Sequence, residues 1–303
     1  MFDLLAVPAA SPHPPMEILR SVPAMQTEAE AVRCAGRRLA LVPTMGALHR
    51  GHLALVDDAR RRVGADGHVT VSIFVNPTQF GPSEDFDAYP RTLEADLNAL
   101  REVGGVDAVF APDVDAMYPD GAATSVQVDG LGASLCGAHR PGHFDGVTTI
   151  VTKLFLACRP DLAMFGKKDA QQFLILRRLA RDLGFGVEVV GVETVREPDG
   201  LALSSRNRYL SEEERKQAVV LSEAVSAARE QADTGERQAA ALVDSMRKKI
   251  AAAPLARLQY AEVVDTETLQ PVETLRPGQT VLAAVAVYFG DARLIDNTFI
   301  TIE

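Results

Sequence analysis

Short apolar runs alternate with stretches whose apolar residues recur every three or four positions, and this alternation continues to about residue 190. Runs of the first kind at 38–42, 69–75, 108–110, 162–165 and 187–190 predict strands covered on both faces. The periodic stretches at 53–63, 92–103, 147–158 and 170–183 predict helices. Strands alternating with helices predict a Rossmann-like α/β fold: a parallel sheet with helices on both faces and ligands at the carboxyl ends of its strands. The texture changes after Arg206. Ser211-Glu212-Glu213-Glu214 has the form of a capping box opening a long helix. A second helix is expected over 236–253, with strands at 259–264, 280–288 and 294–300.

This pattern divides the chain into three parts. Residues 1–15, rich in Pro and Ala, are expected to form a disordered tail, and Met16 reads as the functional start. Residues 16–194 form the expected Rossmann-like domain. Residues 195–303 form a smaller α+β lid domain, leaving an interdomain cleft for substrate. The 303 residues are 47% hydrophobic and 24% charged, ordinary for a soluble globular enzyme. A net charge of −10 argues against nucleic acid as the main partner but not against a small anion held by a local basic cluster. Cys34, Cys136 and Cys158 are odd in number and lack metal-like spacing, which suits reduced thiols in a cytoplasm. No apolar run is long enough to cross a membrane.

The densest chemistry follows the first of these strands, in Pro43-Thr44-Met45-Gly46-Ala47-Leu48-His49-Arg50-Gly51-His52. Strand, tight turn and helix N-terminus make an anion site, because unpaired N–H groups and the positive end of the helix dipole converge there. Gly46 and Gly51 keep no side chain between a phosphate and the backbone. His49 and His52 add two ring donors. The pattern suggests the triphosphate of a nucleotide. The same two histidines also suit a metal ion, though zinc needs further ligands and none lies close in sequence.

Four other segments carry polar groups at strand ends, turns or loops. Asn76 and Gln79 follow an apolar strand and are expected to point amides at hydroxyl and carboxylate oxygens, or to serve only as turn chemistry. Gly166-Lys167-Lys168-Asp169 leads into a helix opened by Gln171-Gln172, and a lysine there suits phosphate oxygens, or a solvated turn. Leu203-Ser204-Ser205-Arg206, after the turn signal Glu197-Pro198-Asp199-Gly200, suits a mobile loop clamping phosphates, or a polar linker. Arg140 and His143 add donors near another loop.

Taken together, these segments resemble the pantothenate synthetase family, ligases that join pantoate to β-alanine at the expense of ATP. The resemblance extends from about residue 17 to the C-terminus. It includes Tyr89-Pro90-Arg91-Thr92, Asp199-Gly200-Leu201-Ala202-Leu203-Ser204-Ser205-Arg206-Asn207 and Gly290-Asp291-Ala292-Arg293-Leu294-Ile295-Asp296-Asn297. It implies an ATP site lined by Met45, Gly46, Ala47, Leu48, His49, Arg50, Gly51 and His52. Gly166, Lys167, Lys168, Asp169, Val195, Leu203, Ser204, Ser205 and Arg206 complete that site. His52, His49, Lys168 and Arg206 are the implied catalytic groups. Gln79, Gln172 and Asn76 are implied for pantoate and β-alanine, and Asp96 for Mg²⁺. The resemblance also implies a cytoplasmic homodimer. Two departures stand out: relatives carry Glu where Lys167 and Cys136 stand. A related nucleotidyltransferase, or a catalytically altered nucleotide-binding paralogue, is the alternative.

Overall fold

A computed structural model describes residues 15–303 except 82–85 and 88; the expected tail lies, but for Pro15, outside the described residues. Six strands form one parallel sheet: β1 (Glu17–Leu19), β2 (Leu39–Thr44), β3 (His68–Ile73), β4 (Ala108–Phe110), β5 (Leu162–Gly166) and β6 (Glu188–Val192). Their spatial order is β1-β4-β3-β2-β5-β6. The helices between them are α1 (Val22–Cys34), α2 (Arg50–Val63), α3 (Leu93–Val103), the one-turn α4 (Val114–Met117), α5 (His143–Cys158) and α6 (Ala170–Asp182). One core joins Val42, Val71 and Met164 of the sheet to Val56 and Leu97 of α2 and α3. Another joins Leu41 and Phe110 to Met25, Phe155 and Leu174 of α1, α5 and α6. Burial on both faces is why these strands read as unbroken apolar runs.

From β2 the chain steps outward to β3 and β4, then returns to set β5 on the other side of β2. That reversal makes a switch point between β2 and β5. The two strands pair at Ala40–Leu162 and Leu41–Ala163. Beyond that, β2 stays with β3 as far as Thr44–Ile73, and β5 stays with β6 as far as Gly166–Val192. The carboxyl ends of β2 and β5 therefore diverge, and a crevice opens between them.

Three elements lie outside the sequence expectation, the one-turn α4 among them. β1 is only three residues long, too short for periodicity to show. For α1 the sequence does carry a signal: Ser21 accepts from the Ala24 N–H as N-cap, Pro23 sits in the first turn, and Met25, Ala29 and Val32 are buried on one face.

The C-terminal part holds α7 (Glu212–Gln217), α8 (Val220–Asp233) and α9 (Ala239–Ala251). They are followed by the antiparallel sheet β7 (Ala256–Asp265), β8 (Thr280–Phe289) and β9 (Ala292–Thr301). The capping box forms between Ser211 and Glu214, but the long helix expected from it is two helices broken at Ala218–Val219. The segment EEERKQ has no apolar stripe to bury, whereas α8 buries Leu221, Val225 and Ala228. β8 is buried on both faces. Val281, Ala283, Val285 and Val287 share a core with α8 and α9. Leu282, Ala284 and Ala286 share one with α6 of the larger sheet.

Candidate active site

The first turn is built around a buried carboxylate. Gly46 and Ala47 adopt left-handed backbone conformations, with φ of 81° and 51°. The carboxylate of Asp96, 3% exposed, accepts from Ala47 N (3.1 Å), Leu48 N (2.7 Å) and the Thr92 hydroxyl (3.2 Å). A Cβ on Gly46 would lie 3.0 Å from that carboxylate, so the turn needs glycine there. The Gly46 N–H goes to Thr44 Oγ1.

α2 then begins within the His-x-Gly-His motif itself, with His49 as N-cap. His49 Nδ1 accepts from Gly51 N at 3.1 Å, and His52 Nδ1 accepts from His49 N at 3.3 Å, a reciprocal capping box made of imidazoles. Accepting at Nδ1 leaves the proton of each neutral ring on Nε2. The rings lie 4.1 Å apart between centroids. Burial, with His49 beside it, lowers His52 to about 4. Burial and nearby Lys168 lower His49 as well. At neutral pH this is a pair of uncharged Nε2–H donors.

This corrects the sequence reading in one respect. The main-chain amides of Gly46, Ala47, Leu48, His49 and Gly51 are taken up by Thr44, Asp96 and the two imidazoles, so most of the turn's amides are not available to an anion, whereas the rings of His49 and His52 line the crevice. Asp96 is a brace for the turn, and its oxygens are spent on N–H and O–H donors rather than left for a metal.

Asn76 lies three residues beyond the end of β3 and is 1% exposed. Its Nδ2 donates to Gly146 O and Gln79 Oε1, both at 3.1 Å, while its Oδ1 accepts from the hydroxyls of Tyr118 (2.8 Å) and Thr78 (3.0 Å). Gln79 Nε2 reaches Met45 Sδ at 3.0 Å, and His143 Nδ1 donates to the Gln79 carbonyl at 2.8 Å. Of the paired glutamines, Gln171 is structural: it is 5% exposed and binds Leu131 O, Ser134 O and Cys136 N. Gln172 faces the crevice.

A crevice of about 280 Å³ brings together Met45, His49, Gly51, His52, Asn76, Gln79, Gly166, Lys168, Asp169, Gln172, Val195, Leu203, Ser204, Ser205 and Arg206. Pro43, Thr44, Tyr89, Phe165, Glu193, Arg140 and His143 also line it. Gly46, Ala47 and Leu48 do not, because they face Asp96. Arg50 points outward to Glu197 at 3.0 Å with its side chain 67% exposed. Lys167 turns to Glu193 and lies over the Phe299 ring at 5.5 Å. A contiguous cavity of about 610 Å³ reaches under the small sheet and shares Arg140, His143, Lys168 and Arg206.

The second departure, Cys136, lines that cavity. Its Sγ lies 3.2 Å from the Tyr260 hydroxyl and 3.3 Å from Arg293 Nη2. Tyr118 and Glu193 escape the sequence reading, since an isolated hydroxyl or carboxylate carries no spacing signal.

The expected loop at 203–206 leaves a small hairpin, 195–203, and leads into a 3-10 turn, Ser205–Tyr209. Leu203 N binds Val195 O, Arg196 pairs twice with Asp296 (2.6 and 2.9 Å), and Arg215 holds Asp199. Asn297 Nδ2 donates to the carbonyls of Lys167 and Lys168, tying β9 to the lysine turn.

A doubly wound sheet with paired imidazoles, a lysine and convergent amides at its switch point defines an α/β enzyme that handles a nucleotide and a small polar substrate. Among known families, the Pantoate-beta-alanine ligase model matches residues 17–299. A pantothenate synthetase of Salinibacter ruber is 60% identical over 294 residues, covering 95% of this chain and 98% of the relative. One from Moorella thermoacetica is 50% identical, covering 95% and 100%. The crystal structure of pantothenate synthetase from Thermus thermophilus superposes with a TM-score of 0.84 at 50% identity, covering 93% and 99%. That of pantoate-beta-alanine ligase from Francisella tularensis, complexed with beta-gamma ATP and beta-alanine, gives 0.73 at 31% identity, covering 93% and 97%. The chain belongs to the pantoate–β-alanine ligase family, as an ATP-using, pantothenate-forming ligase.

Proposed function

We propose that the crevice binds ATP along His49, His52, Lys168 and Arg206 and pantoate at Gln79 and Gln172, and that pantoate is first joined to AMP. One observation carries this reading: a single crevice holds a donor-rich anion subsite and, beside it, an amide subsite lined by Pro43, Met45 and Phe165. Those apolar groups suit geminal methyls, and the amides suit hydroxyl and carboxylate oxygens. The Francisella relative's complex with beta-gamma ATP and beta-alanine supports both as ligands.

In the first step a pantoate carboxylate oxygen bonds to the α-phosphorus and the bond to the bridging oxygen of pyrophosphate breaks. The neutral imidazoles donate Nε2–H to phosphate oxygens, while Lys168 and Arg206 meet the charge gathering on pyrophosphate. Bound triphosphate raises the pKa of both rings, since a charged imidazole is favoured beside an anion. The amine of β-alanine then attacks the activated carbonyl, its proton leaves, and AMP departs.

Magnesium enters with the nucleotide in this reading. Asp96 has its oxygens occupied, and among the described residues no three His, Cys, Asp or Glu gather to hold an ion. The residues do not fit a protein-held metal site, so no step is assigned to one. The Ser204–Arg206 segment, rather than all of 195–303, acts as the lid, because β8 and β9 share a core with α6. The reading extends to a cytoplasmic homodimer. Unpaired thiols support the compartment, the family resemblance supports the dimer, and light scattering tests the dimer.

The test is AMP formation dependent on pantoate and β-alanine, with pantoate-dependent exchange of pyrophosphate into ATP when β-alanine is withheld. His52→Ala is expected to lower turnover on the order of a hundredfold with folding intact. Unchanged turnover removes His52 from the chemistry.

A further inference from the structure

We propose that Tyr118 is a positioning residue for pantoate: its hydroxyl locks the Asn76 amide, and through it turns the NH₂ of Gln79 toward the crevice. This rests on the assignment of Gln79 to pantoate. Tyr118 follows α4, well away from the two nucleotide turns in sequence, and it does not line the crevice itself.

The argument is one of donor and acceptor polarity. Tyr118 donates to Asn76 Oδ1 at 2.8 Å, and the same oxygen accepts from the Thr78 hydroxyl at 3.0 Å and the Thr78 N–H at 3.4 Å. A flipped Asn76 would set its NH₂ against the Thr78 N–H and its oxygen against the Gly146 carbonyl, so these main-chain groups allow one orientation, and the Tyr118 hydroxyl donates to the oxygen so presented and holds the amide there. In that orientation Nδ2 donates to Gln79 Oε1, which draws the acceptor end of Gln79 toward Asn76. The Gln79 Nε2–H₂ is left facing Met45 at the crevice wall. A carboxylate or ether-like oxygen is then welcomed there, and a second donor is not. Every link is buried or half-buried, where polarity errors are costly.

The Tyr118 ring has its own supports: Phe74 at 6.3 Å between centroids and Lys153 Nζ at 5.4 Å. Removing the hydroxyl therefore takes away the lock and leaves the ring in place. Thr78 still holds Asn76 in the variant, so the effect is graded.

Tyr118→Phe is expected to raise the KM for pantoate about three- to tenfold, leaving kcat and the KM for ATP within about twofold. In a Gln79→Ala background, where pantoate KM is already raised, the same change is expected to have no further effect. Equal fold-changes in the two backgrounds, a parallel rise in the KM for ATP, or no change in the single variant would each overturn the relay. A Gln79→Ala enzyme with the parent's pantoate KM would overturn the assignment of Gln79 itself, and the relay with it.

Discussion

Each histidine of the first turn uses its two ring nitrogens differently. Nδ1 satisfies a main-chain N–H at the start of α2, and Nε2 is left for the proposed contact with phosphate. Spacing alone could suggest both residues as ligands, but not that they also cap the helix. The two roles separate by substitution. In His49→Asn the amide oxygen still caps, so thermal stability should match the parent while turnover falls about ten- to a hundredfold. His49→Ala should lose the same activity and about 1 kcal/mol of stability besides. Calorimetry alongside AMP release separates these, and a fully active His49→Asn would remove Nε2 from the site. Asp96 carries the complementary lesson: an acidic residue in the first turn of a helix can be read as a ligand, yet its hydrogen bonds show it bracing the turn.

At the scale of elements, the amide subsite depends on how closely α5 approaches the turn 77–79. Gly146 makes that approach possible, because a Cβ there would lie 2.3 Å from the Thr78 carbonyl oxygen. Gly146→Ala must push the turn away and with it Asn76 and Gln79. It should cost about 1–3 kcal/mol in chemical denaturation and raise the pantoate KM more than the ATP KM. A variant with both unchanged would show that the turn yields freely. In the sequence this glycine is one small residue in an apolar helical run, and nothing local marks it.

For the whole molecule, the two sheets are less separate than the change of texture after Arg206 suggests. β8 is apolar at every position from Val281 to Val287 because it is a central layer, with helices of both parts against it. The pH dependence of stability also belongs to this scale. His52 and His68 are both lowered to about 4 by burial from a usual 6.5, and the structure prefers both rings neutral. Between pH 6.5 and 4 the unfolded chain takes up protons that the folded chain refuses. Stability is therefore full above about pH 6.5 and falls as pH drops through that window. Urea midpoints measured from about pH 7 to about 4.5 should decline, and His68→Gln should flatten the decline. An unaltered slope in that variant would exclude His68 as a contributor.

Alternating apolar runs and helical periods, ordered along the chain with glycine and histidine at one strand end, were enough to determine a parallel α/β sheet with a glycine–histidine turn at the end of β2. Those features are local and repeat with the backbone's own period. Strand order, and so the crevice between β2 and β5, was decided only in three dimensions, because pairing joins residues more than a hundred positions apart. The same holds for which donors are already spent. Asp96 meets the turn at 47–48, Asn297 meets Lys168, and Tyr118 meets Asn76 only after the sheet has brought them within hydrogen-bond reach.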